Sequence, residues 1–135
     1  MRKLITLFIF FSVALIFGQE IQVSESDLVG YWTSERIIIK ENYNVWVYKR
    51  SRFGEKGTTI RFMKNGEYRI NYNWEPRRRC GNERRPKPII GYFRFDPQLQ
   101  KITLESYDTD PIKNWEIVWI DENSFGVKKP KHNKT

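Results

Sequence analysis

KNGEYRINYNWE, residues 64–75, is the stretch that decides the fold. From Glu67 to Glu75 large apolar side chains alternate with polar ones. Tyr68, Ile70, Tyr72 and Trp74 fall on one face, and Glu67, Arg69, Asn71, Asn73 and Glu75 on the other. A period of two is that of a strand with one face in a core and the other in water. Just ahead, Lys64-Asn65-Gly66 separates this run from TTIRFM, residues 58–63. Asn-Gly between alternating runs predicts a hairpin, because both residues tolerate the positive φ that a type I′ turn requires.

The same punctuation continues in both directions. Upstream, strands are expected from Tyr31 to about Lys40 and from Asn44 to Phe53, the second ended by GEKG. Downstream come IIGYFRF (89–95), a turn at DPQLQ, KITLESY (101–107), a loop DTDPIK, WEIVWI (115–120), a turn at DENS, and FGVKK (125–129). No 3.6-residue periodicity is sustained after the N-terminal apolar run, and short strands spaced by turn residues mark an all-β domain. About eight strands joined by tight connections predict an up-and-down antiparallel barrel, because a short turn pairs sequential neighbours and closure removes exposed edges. A two-sheet β-sandwich would use the same strand count and is the alternative.

At the N-terminus, Arg2 and Lys3 precede the apolar run Leu4–Phe17, followed by Gly18 and the polar Gln19-Glu20. A positive start and an apolar stretch short of the ~20 residues of a membrane helix describe a secretory signal peptide over residues 1–18. The expectation is therefore a secreted or periplasmic protein with no transmembrane anchor after cleavage. Residues 19–27 form a lead-in, where Ser24 and Asp27 have capping-box spacing and fit a single helical turn. The barrel domain is placed at 28–129, with a polar, flexible tail at 130–135. Cys80 is the sole cysteine, so no disulfide can form within the chain and packing must supply the stability.

LVGYW (28–32), placed just past the signal peptide and helical turn, resembles the Gly-x-Trp motif that opens the first strand of lipocalins. GEYRI, the RRCGN loop, GYFRF and WEIVWIDENSF continue the likeness to small secreted bacterial lipocalin-like (calycin) proteins over most of residues 26–129. The resemblance implies an up-and-down barrel that binds a small apolar or amphipathic molecule. It also implies that Gly30 and Trp32 are structural, with Trp32 plugging the closed end, commonly against an arginine near the last strand. Here the last strand offers Lys128 and Lys129 and no arginine. Lysine can lie over an indole but lacks the planar stacking of a guanidinium group.

Candidate ligand-binding residues follow from where the strands end. Tyr72 and Trp74 approach the end of their strand next to the longest connection, and Tyr92 and Trp115 lie on other predicted strands; aromatics lining a cavity would give a ligand an apolar wall with polar handles. Between residues 77 and 87, six basic side chains against Glu83 give a local charge of +5, within a chain of formal charge +8. Arg78 and Arg79 are candidates for an acidic group on the ligand, because a guanidinium pairs bidentately with carboxylate or phosphate. The alternative is an interaction module whose basic 77–87 loop docks on a protein or an anionic surface. Nucleic acid is not expected as a partner of an exported chain.

Enzyme chemistry finds little foothold. Cys80 among arginines favours thiolate, but a cysteine nucleophile ordinarily needs a histidine base, and His132 lies in the tail. The carboxylates are scattered, so no catalytic residue is assigned. One histidine and one cysteine give no metal-ligand spacing, and nothing in the sequence calls for a cofactor.

Overall fold

The computed structural model describes residues 23–73, 86–108 and 110–129. The expected signal peptide, the segment carrying Trp74, Arg78, Arg79 and Cys80, and the tail with His132 lie outside them. One helical turn, α1 (Glu25–Leu28), precedes eight strands: β1 (Gly30–Ile39), β2 (Asn44–Ser51), β3 (Gly57–Phe62), β4 (Glu67–Asn73), β5 (Ile89–Asp96), β6 (Lys101–Ser106), β7 (Lys113–Ile120) and β8 (Ser124–Lys128). The turn forms where Ser24 and Asp27 predicted it: the Ser24 backbone N–H donates to the Asp27 carboxylate at 2.8 Å.

The strands form a closed antiparallel barrel, so the sandwich alternative falls. From β3 to β8 the chain is the expected meander, each strand pairing with the next. Closure differs from the expectation. The order is β1-β2-β8-β7-β6-β5-β4-β3, so the last strand meets β2, and β3 pairs with β1 instead of β2.

GEKG therefore does not turn a hairpin. Residues 52–56 cross the outside of β1, which is feasible because neighbouring strands are only ~4.8 Å apart. Phe53 meets Tyr31 edge-on at 6.1 Å, Thr33 Oγ1 donates to Glu55 at 3.4 Å, and Asn73 Nδ2 donates to the Glu55 carbonyl at 3.2 Å. This strap explains why Thr33 and its register partner Thr59, both on the outer face, are buried.

The β3–β4 hairpin is present, with a different turn from the one expected. Gly66 N–H donates to the Met63 carbonyl at 3.1 Å, and Gly66 has φ +84° while Asn65 does not take a positive φ. A four-residue turn closed by a left-handed glycine supplies the strand twist with one positive φ in place of two.

Alternation places Trp32, Tyr48, Ile60, Phe62, Tyr68, Phe93, Leu104, Trp115, Phe125 and Val127 in the interior. One end of the barrel is plugged. Trp32 is fully buried, its Nε1–H donates to the Leu28 carbonyl at 2.7 Å, and its ring meets Phe125 edge-on at 4.6 Å. Trp32 thus sits at the plugged end, and the cation over its ring is neither Lys128 nor Lys129. The Arg50 guanidinium, at the end of β2, lies 3.8 Å from the indole centroid and donates to the Val29 and Asp27 carbonyls at 2.8 and 3.1 Å. Arg50 is the register partner of Trp32 across the β1–β2 hairpin, which puts an arginine of β2 next to the plug. Gly30, with φ +132°, turns the chain from the helical turn into β1; a Cβ there would collide with Arg50 Nη1 at 2.7 Å.

Candidate functional site

At the opposite end the interior is hollow. A cavity of about 810 Å³ opens where β2 begins, β4 ends and β7 begins. Its walls come from inward-facing positions of those strands and their neighbours. Trp46 and Tyr48 of β2, Ile60 of β3, Ile70 and Tyr72 of β4, and Trp115 of β7 supply the apolar surface. Ser34, Asn44, Thr58 and Asn114 add polar groups, and Pro111 and Ile112 close one side of the mouth. The floor is a stack of rings, with Tyr48 nearly parallel to Phe125 at 4.9 Å and to Trp115 at 5.9 Å. Below it, Phe62 and Phe93 fill the barrel toward the plug.

Of the residues expected to bind a ligand, Tyr72 and Trp115 line this cavity. Tyr92 does not: Gly91 and Phe93 face inward, so Tyr92 points out, half exposed, with its ring edge-on to Tyr107 at 4.9 Å. Trp74, Arg78 and Arg79 lie outside the described residues, although β4 ends and β5 begins at the hollow end.

Lys129, just past β8, was read from the sequence only as a possible neighbour of Trp32. The structure places it at the other end, inside the cavity. Its Nζ donates to the Tyr48 hydroxyl at 2.6 Å and lies 4.1 Å from the Trp115 ring, 4.2 Å from Trp46 and 5.1 Å from Tyr48. The signal was available in the alternation of the last strand. Phe125 and Val127 face in, and Lys129 has the same parity, as does Lys113 with Trp115 and Ile117 on β7.

The electrostatics follow from that burial. Desolvation, with a smaller contribution from Lys113, holds the Lys129 ammonium down to about 7. Burial pushes the Tyr48 phenol well above its ordinary value, with Tyr72 adding to the effect. Tyr68, deeper in the barrel, is raised to about 12, first by burial and then by Asp110 and Tyr72. Among the described residues no group of three or more His, Cys, Asp or Glu side chains could hold a metal ion. What the site offers is an aromatic chamber with a desolvated amine at its wall.

No family model matches the chain, and neither a curated protein nor a solved structure is significantly similar to it. Fold and cavity therefore carry the description. This is a closed eight-stranded antiparallel barrel, plugged by Trp32 at one end and hollow at the other.

Proposed function

We propose that the protein is an exported, lipocalin-like carrier that binds one small apolar or amphipathic molecule in its lumen. One observation carries this: a cavity of about 810 Å³ walled by Trp46, Tyr48, Ile60, Ile70, Tyr72 and Trp115. Barrels of eight strands are commonly filled by their own side chains or hold one small ligand. A volume in the range of about 300–1,000 Å³, mostly apolar with a few polar groups, is that of a ligand pocket. The signal-peptide pattern of residues 1–18 and the Gly-x-Trp sequence at Gly30 and Trp32 support the same reading.

Two tryptophans in the cavity wall make the test direct. Titration with a neutral apolar probe, decanol, should change the intrinsic fluorescence and saturate at a single site. Thr58→Trp, which fills the lumen from β3, should abolish the response while the far-UV circular dichroism stays that of the parent. An absence of saturable binding to decanol and to larger apolar probes in the parent would overturn the proposal.

A further inference from the structure

We propose that the preferred ligand carries a carboxylate, and that this head group is received inside the barrel by the Lys129 ammonium, with Lys113 and the Tyr48 hydroxyl beside it. The inference rests on the lumen being a binding site and adds the chemistry of its occupant. It also moves the acidic group from the basic connection at 77–87 to the interior.

The argument begins with an imbalance of charge. Two lysines line the cavity, and among the described residues neither Lys129 nor Lys113 forms an ion pair with a carboxylate. The titratable groups that share the cavity lining with Lys129 are Tyr48 on β2, Tyr72 on β4 and Lys113 on β7; β1 and β3 contribute to that lining the neutral Ser34, Thr58 and Ile60. The carboxylate felt within the barrel, Asp110, acts on Tyr68 and not on Lys129. A cation withdrawn from water and left without a counter-ion is costly. Ring faces recover part of that cost, but burial still outweighs them, because the amine is held well below its ordinary value. Among the described residues, the missing element is a negative charge.

The geometry supplies a seat for it. Lys129 donates one of its protons to the Tyr48 oxygen, so the phenolic O–H is left to point at another acceptor. A carboxylate beside the pair would accept from both the ammonium and the phenol. Ile60, Ile70 and Tyr72 would then surround the apolar remainder of the molecule. Anionic head and apolar tail together match the division of the wall into a cationic side and an apolar one.

The experiment is a matched pair of probes, decanoate and decanol, measured by isothermal titration calorimetry on the parent protein and on Lys129→Met. Charge-assisted hydrogen bonds predict that the parent prefers decanoate by roughly ten- to hundredfold near pH 6. Lys129→Met should lose that preference and keep its affinity for decanol. Binding of the anion draws Lys129 back to its charged form. Decanoate should therefore take up close to one proton at about pH 8.5 and almost none at about pH 6, as read from buffers of different ionisation enthalpy. Lys129→Arg, charged throughout, should keep the preference and lose the proton uptake. If the parent binds both probes equally near pH 6, or Lys129→Met keeps the preference for decanoate, the head-group assignment is overturned while the lumen remains a binding site. If neither probe binds, both readings fall.

Discussion

Arg50→Met should destabilise the barrel by about 2 kcal/mol, although the side chain is exposed. Its guanidinium makes two well-formed hydrogen bonds, to the Val29 and Asp27 carbonyls, and a third to Glu122 that is long at 3.4 Å. Discounted for exposure, the first two contribute roughly 0.5–0.7 kcal/mol each and the third nothing. The contact with the Trp32 ring, 3.8 Å from its centroid, adds about 0.5–1 kcal/mol. Urea unfolding followed by far-UV circular dichroism measures the loss, which corresponds to a fall of roughly 10 °C in Tm for a domain of this size. A double-mutant cycle with Trp32→Leu then separates the two contributions. A coupling of about 0.5–1 kcal/mol is expected, since each single change removes the same ring–cation contact. Coupling within about 0.3 kcal/mol of zero would show that Arg50 acts only on the carbonyls. A loss below about 0.5 kcal/mol for Arg50→Met would refute the claim that an arginine on β2 secures the plug.

Two further expectations concern space and charge. Gly91→Ala drives a Cβ into the Glu105 carbonyl and to within 2.6 Å of Ser106 Cα, whereas the nearest atoms to a Cβ at Gly126 are those of the Trp119 ring. A backbone cannot yield as a side chain can, so Gly91→Ala should cost about 3 kcal/mol or more and Gly126→Ala about 1–2 kcal/mol, in the same urea assay. Equal losses would contradict that ranking. Lys129 binds fewer protons folded than unfolded between about pH 7 and its ordinary value, 10.5, so the parent should gain stability as pH rises through that window. The slope is at most about 1.4 kcal/mol per pH unit. Measured as the difference between the parent and Lys129→Met, that slope should separate their unfolding curves most below pH 7. A pH-independent difference would mean that the amine is solvated.

The elements were legible in the sequence because their signals are local. The alternation in Glu67–Asn73 places Tyr68 and Ile70 inside, and the Ser24–Asp27 spacing marks the helical turn, each without reference to the rest of the chain. The place of β3, and with it the pair that closes the barrel, was not legible. Whether residues 52–56 turn back beside β2 or cross over β1 depends on contacts from Phe53 to Tyr31 and from Glu55 to Thr33, pairs separated by some twenty residues. Arg50 depends on register: it faces Trp32 across the β1–β2 hairpin, and that pairing is set by the irregularity between Ser34 and Arg36, far from residue 50 in the sequence. Tyr92 lies outside the cavity for a local reason that alternation could have supplied, since Phe93 takes the inward position.

The two ends of the barrel treat polar groups in opposite ways, and that contrast is the strongest argument for direction in the molecule. At the plug, the Trp32 N–H has the Leu28 carbonyl and the Arg50 guanidinium has the Val29 and Asp27 carbonyls. Such saturation is what stability alone would select. At the hollow end the alternation of β7 and β8 brings Lys113 and Lys129 to the inner face, where a leucine would pack without electrostatic cost. A sequence that obeys local rules elsewhere and breaks them at adjacent inward positions concentrates its strain where a ligand would relieve it. The aromatic rings around Lys129 hold the amine in place, so the carboxylate proposed above would meet a donor already oriented and already withdrawn from water.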